Sequence, residues 1–275
     1  MAANAATAPQ GDRRVLKTRA ISALVMAPPA LLAAWAGGYA FAALVAVAAA
    51  LMCWEWARMA LGGFANAGRV AAIGCFVAAL VTVVYPLAAV AVVAATTVVS
   101  VVLAGPANSG RLWAGLGGFY IGLPAIALVW LRDDPGLGGA VVWWLLLVVW
   151  ATDIGAYAFG RLIGGPLLLP AVSPKKTWAG LFGGMACAAL AGVLVARTFA
   201  LADVGVIAVV SAVGAVVAQV GDLFESWVKR RWNVKDSSGI IPGHGGVLDR
   251  VDGLLAAALT VAVLTLASGR PVLIW

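Results

Sequence analysis

The sequence points to an all-α, polytopic integral membrane protein of about nine transmembrane helices, and three observations lead there. Hydrophobic residues make up 64% of the 275 residues and charged residues only 11%, whereas a soluble domain carries about 25% charged residues. Mean hydropathy is +1.03. Apolar runs long enough to cross a hydrocarbon layer recur along the chain, and basic residues fall mostly in alternate connections.

Residues 1–19 read as a cytoplasmic tail, with Arg13, Arg14, Lys17 and Arg19 approaching the membrane. The apolar run after Arg19 imitates a secretory leader. It leads directly into further apolar hairpins, however, so it reads as an uncleaved first span, 20–36. The next spans are 39–57, 70–86 and 88–104, the last two divided only by Tyr85-Pro86. Spans 113–131, 140–160, 178–196, 204–228 and 252–268 follow.

With the N terminus inside, fifteen of the 18 basic residues lie in inner segments, leaving Arg132, Arg197 and Arg270 outside. This asymmetry supports an odd number of crossings and a C terminus outside. It places the charge-rich connections on the cytoplasmic face of the membrane.

The N-terminal spans, 20–139, carry Gly, Ala and Trp suited to close packing and interfacial anchoring, with Glu55 as an isolated acid. Asp133 and Asp134, beside Arg132 and Pro135, read as a solvated outer turn. From residue 140 to 275 polar residues enter the helices themselves, and the chemistry is expected there.

A net charge of +7 would suggest nucleic acid in a soluble chain. In this one it fits topology and contact with anionic lipid or phosphate, so no nucleic-acid partner is expected. Cys53, Cys75 and Cys187 lie far apart inside apolar runs, without the spacing of a zinc site or a disulfide framework.

The segment from Asp222 to Asp252 holds five of the 11 carboxylates and the single histidine, His244. Charge is costly in an apolar environment unless paired, solvated or bound to metal. Asp222, Glu225 and Ser226 share a helical face, and Asp249 and Asp252 share another. A divalent cation such as Mg2+ would relieve repulsion among these acids, and pairing with local Lys or Arg would do so too.

Between the acids lie Lys229, Arg230, Arg231, Lys235 and Asp236, then a Gly/Pro-rich turn from Gly239 to Gly246. Basic residues beside a metal suit a polyphosphate, and glycines let backbone amides approach phosphate oxygens. A positive-inside signal accounts for the basic run alone, but not for Asp236, His244 and the glycines beside it. His244 suits proton transfer, phosphate donation or a structural hydrogen bond. Upstream, Asp153 sits inside an apolar span and Arg161 follows. The stretch Ser173-Pro174-Lys175-Lys176-Thr177 opens the next span, with Ser173 as a candidate helix cap. Its lysines suit a lipid phosphate or a plain juxtamembrane anchor. Neither a GxxxxGK[ST] loop nor a G-x-S-x-G element is present.

Ser226, Lys229, Arg230, Lys235, Asp236, Ile241, Pro242, His244, Gly245, Gly246, Asp249, Arg250 and Asp252, in this spacing, closely resemble the pattern of the phosphatidate cytidylyltransferase (CDP-diacylglycerol synthase) family, without departure. Asp153, Arg161 and the Ser173–Thr177 stretch also resemble it, so the likeness covers residues 140–255. The resemblance implies the reaction CTP + phosphatidate → CDP-diacylglycerol + pyrophosphate, Mg2+ with room for a monovalent cation such as K+, and a homodimer. It implies a metal centre at Asp222 and Asp249, to which helical spacing adds Asp252.

Lys229, Arg230, Lys235 and Arg250 are expected toward the nucleotide, and Arg161, Lys175 and Lys176 toward the lipid headgroup. Ser173, Thr177, Ser226, Asp236, His244, Gly245 and Gly246 complete the expected substrate contacts. Two other readings share these residues. One is a CTP-using enzyme acting on another lipid, such as a polyprenol kinase. The other is a transporter, which would place its acids near the bilayer midplane.

Overall fold

The computed structural model describes residues 10–105, 108–201 and 203–275; the first nine residues of the expected tail lie outside this range. Among the described residues the chain forms nine α-helices: α1 (Gln10–Ala36), α2 (Gly38–Ala60), α3 (Asn66–Thr82), α4 (Pro86–Leu103), α5 (Asn108–Arg132), α6 (Gly138–Ile163), α7 (Trp178–Thr198), α8 (Val204–Arg231) and α9 (Leu248–Ser268). Each expected span has its helix. Seven are long and apolar enough to cross a membrane; α3 and the apolar part of α1, Leu24–Ala36, are shorter. The protein is thus a polytopic integral membrane protein.

Turn chemistry sets the breaks. Pro86 begins α4 at a position where its missing N–H costs nothing. Asp134 accepts bonds from the amides of Gly136 (3.1 Å) and Leu137 (2.7 Å), shaping the turn into α6. Its neighbour Arg132 is not simply solvated. Its guanidinium donates to the Ala34 and Trp35 carbonyls, both at 2.7 Å, satisfying the free C-terminal end of α1.

One departure from the all-α expectation matters for function. Between α6 and α7 the chain makes a small antiparallel hairpin, β1 (Leu167–Leu169) with β2 (Ser173–Thr177), pairing Leu167 with Thr177 and Leu169 with Ser173. Ser173 therefore lies in a strand and does not cap α7. That role falls to Thr177, whose hydroxyl accepts from the Gly180 amide at 3.0 Å. Pro174 is tolerated because a two-stranded ribbon has only edges.

Two groups of helices share one core. α2 to α5 pack among themselves, α6 to α8 do likewise, and α9 lies against α5, α6 and α8. The α6–α7 contact is close because a side chain at Gly155 or Gly184 would strike the facing backbone. In α6, Trp144 donates to Ser211 of α8 at 2.8 Å. Aromatic rings join the two groups: Trp113 of α5 meets Trp56 of α2, Trp227 of α8 and Trp232 just beyond it. A continuous buried cluster therefore runs from Ala34 to Leu273.

Candidate active site

The antiparallel course of the helices brings the C-terminal ends of α2, α6 and α8, the N-terminal ends of α7 and α9, and the hairpin to one end of the bundle. Nearly all the ionisable groups singled out above collect there. Toward the end of α8, Asp222, Glu225, Ser226 and Lys229 recur at helical spacing. Ser226 donates to Asp222 at 3.2 Å. Lys229 pairs with Glu225 one turn back, and its ammonium also donates to Asp249 of α9 at 2.7 Å. Glu225 is fully buried and Asp249 nearly so. One lysine shared by two carboxylates keeps these acids tolerable away from water and joins α8 to α9.

Asp249 is saturated with donors. Besides Lys229 it accepts from the Ser237 amide (2.9 Å), the Ser237 hydroxyl (3.0 Å) and the Gly246 amide (2.7 Å). It folds the connection between α8 and α9 over itself. Within that connection, Ile241 and Gly245 pair as a tight bridge. Gly245 has φ 88°, and a Cβ there would press on the Asp249 carboxylate.

A further carboxylate, from the N-terminal part of the chain, also holds this connection. Glu55 of α2 has no exposed surface. It accepts from the Ser238 hydroxyl (2.6 Å) and from the amides of Val247 and Leu248, both at 2.8 Å. Helix α9 has no capping side chain of its own at Val247, so Glu55 supplies the acceptor for its first amides. A side chain at Gly246 would collide with both Glu55 and Ser237.

Beside these groups opens a cleft of about 310 Å³ between α6, the hairpin, α7 and α8. Asp153, Tyr157, Ser173, Lys175, Lys176, Thr177, Gln219 and Asp222 line it. Across it the Lys176 ammonium lies 2.6 Å from Asp222, and Arg161 donates to the Tyr157 hydroxyl at 2.9 Å. Asp153, Asp222 and Asp252 stand near enough to feel one another's charge, offset by Lys176, Lys229 and Arg250. Cations facing carboxylates in one cleft can receive a phosphate while leaving hard oxygen donors for a metal.

The expected residues are therefore placed as follows. Asp153, Ser173, Lys175, Lys176, Thr177 and Asp222 share the cleft. Arg161 adjoins it through Tyr157, and Ser226 adjoins it through Asp222. Lys229, expected toward the nucleotide, instead joins the buried acids, because two carboxylates there require a cation. Arg230 donates to Val234 of its own connection at 3.3 Å, and Lys235, Asp236 and Arg250 are exposed. His244 is hydrogen-bonded through Nδ1 to Ser22 of α1 at 2.9 Å, away from the cleft residues.

The expected metal set of Asp222, Asp249 and Asp252 is not gathered. Among the described residues no three His, Cys, Asp or Glu side chains stand together as metal ligands. Asp249 is held by Lys229, Ser237 and Gly246. Asp222 and Asp252 offer hard carboxylate oxygens, the donor type that magnesium takes alongside phosphate and water. Ser237, Gln219 and Tyr157 carried no distinguishing sequence signal. Glu55 carried one, as a single acid inside an apolar helix.

A helical bundle with charged groups gathered in one cleft suits a membrane-embedded enzyme. Residues 17–267 match the cytidylyltransferase family, and the chain belongs to that family and is a nucleotidyltransferase. A Brucella suis protein called phosphatidate cytidylyltransferase is 38% identical over 244 residues, covering 88% of this chain and 90% of the relative. One of the same name from Pseudomonas aeruginosa is 39% identical over 275 residues, covering 93% of this chain and 98% of the relative. A Staphylococcus epidermidis protein of that name is 39% identical over 137 residues, about half of either chain.

Proposed function

We propose that this protein is a phosphatidate cytidylyltransferase, converting CTP and phosphatidate to CDP-diacylglycerol and pyrophosphate in phospholipid synthesis. The observation that carries the reading is the cleft in which Lys175 and Lys176 face Asp222 and Asp153 at one end of an apolar bundle. A lipid phosphate at a membrane surface and a nucleotide triphosphate are the two anions that such a place would bring together.

The chemistry asks little of acid–base groups. A phosphatidate oxygen, already anionic, attacks the α-phosphorus of CTP, the bond to the β-phosphate oxygen breaks, and pyrophosphate departs. What must be overcome is repulsion between two polyanions and the charge that accumulates on the leaving group. Lys175, Lys176 and Arg161 would hold the lipid phosphate. The lysine at Asp222 is the pivot: phosphate binding to Lys176 frees the Asp222 carboxylate. Arg230, Lys235 and Arg250, on the open side, would neutralise the nucleotide.

Asp222 and Asp252 would hold Mg2+ together with the triphosphate; Asp249 could join only by giving up Lys229. When bound, the ion would offset phosphate charge and align the triphosphate. A monovalent cation as second ion, a homodimeric assembly, and a bacterial inner membrane with the cleft facing the cytoplasm belong to the same reading. The excess of basic residues around this end supports that orientation.

The test is turnover by purified protein in detergent–lipid micelles with phosphatidate, Mg2+ and labelled CTP, following lipid-soluble cytidine and released pyrophosphate. Wild type is expected to form both and Asp222→Asn neither. Failure of folded wild type to form either defeats the assignment.

A further inference from the structure

We propose that Glu55 is a positioning residue of the active site. From α2 it fixes the Gly246–Asp249 segment where α9 begins, and through that segment the carboxylates of Asp249 and Asp252. This rests on reading the cleft and its neighbouring acids as the catalytic site.

Three observations converge on it. First, Glu55 is completely buried, and it accepts hydrogen bonds from the α8–α9 connection and from the first amide of α9. Among the described residues none comes from its own helix or a neighbouring N-terminal helix, so packing of α2 alone does not explain an acid at this position. Second, the two amides it holds, Val247 and Leu248, immediately precede Asp249, and Gly246 donates to Asp249 itself. Glu55 and Asp249 thus grip consecutive residues of one short segment. Third, the space between them is filled: a Cβ at Gly246 would meet Ser237 and Glu55 together, so the segment has little room to shift while both carboxylates keep their bonds.

Asp252 lies one helical turn beyond this clamp, on the helix that it starts. A rotation or slide of the first turn of α9 would move Asp252 relative to Asp222 on α8. A displacement of about 1 Å in a positioned group can cost on the order of 100-fold in rate. Glu55 is fully buried and outside the residues that line the cleft, so its influence on turnover would pass through this geometry.

The test compares full-length wild type, Glu55→Gln, Glu55→Asp and a packing control, Leu255→Ala, in detergent–lipid micelles. Leu255 is buried in α9 away from the clamp. Amide hydrogen exchange of residues 237–251 is measured beside kcat, KM for CTP and the half-saturating Mg2+ concentration. Glu55→Gln places an amide N–H against donors. It is expected to speed exchange within 237–251, raise the Mg2+ requirement and lower kcat on the order of 10–100-fold with KM for CTP little changed. Glu55→Asp, which keeps the charge but is shorter, should fall between it and wild type, and it carries the test if Glu55→Gln does not fold. Leu255→Ala should lower thermal stability without altering kcat or the Mg2+ response.

The proposal is overturned if the Glu55 variants lose stability in the manner of Leu255→Ala while exchange in 237–251 and kcat stay unchanged. Should wild type fail to turn over CTP with phosphatidate, the proposed function falls, and the exchange measurement still decides the role of Glu55.

Discussion

Asp222 and Asp249 look equivalent in sequence, each an acid at a helix end in a polar segment, and the structure separates them. Asp222 is partly exposed in the cleft and paired with Lys176. Asp249 is enclosed by Lys229, Ser237 and Gly246. Replacing one partner of a buried ion pair costs about 3–5 kcal/mol, because the other charge is left uncompensated. Asp249→Asn is therefore expected to lose both activity and thermal stability, and Asp222→Asn to lose activity with its melting temperature near wild type. Thermal melts beside the turnover assay decide this; equal melting temperatures would contradict the enclosed role of Asp249. The sequence made the importance of both acids legible through their rarity in an apolar chain. Their different partners come from tertiary contact, with Lys229 and Ser237 for Asp249 and with Lys176 for Asp222, which no local spacing encodes.

Among the structural elements, the helices were legible nearly one for one, since an apolar run of membrane length leaves the backbone no other means of satisfying its hydrogen bonds. The β1–β2 hairpin was not. Its strands are three and five residues long, too short for a periodic signal, and its second strand contains a proline. The consequence is local: Lys175 and Lys176 project from a strand whose end, Thr177, is also the cap of α7. Thr177→Ala removes that cap, at a cost of about 1 kcal/mol. It is expected to raise KM for the lipid substrate more than it lowers kcat, since it loosens the strand that carries the lysines. Steady-state kinetics against phosphatidate at fixed CTP will show whether the two parameters separate.

The molecule as a whole is one packed bundle, in which the N-terminal spans, read from composition as packing and anchoring helices, meet the polar C-terminal region. The join is made by Glu55 at the site and by the Trp56, Trp113, Trp227 and Trp232 aromatic contacts. Sequence reading recognised Glu55 as an unusual acid but gave it no partner, because its partners are backbone amides almost two hundred residues away. Orientation is open to a direct test. In a cysteine-free background, Lys235→Cys in sealed cells is expected to resist an impermeant thiol reagent until the membrane is opened. Arg270→Cys is expected to react from outside. The reverse pattern would place the cleft on the wrong face.

The Glu55 clamp also bears on how the protein is made. Helix α2 is synthesised 192 residues before Val247, an interval of roughly 10–40 s at ordinary elongation rates. Throughout that interval the helix must sit in or beside the bilayer with a carboxyl group whose acceptors have no partners. Glu55 stands near the C-terminal end of α2, so its insertion penalty falls short of the about 2.5–3.5 kcal/mol of an acid at a helix centre, and the arrival of α9 gives it its partners. A nascent chain that stalls before α9 leaves this acid without the amides it accepts from in the finished fold.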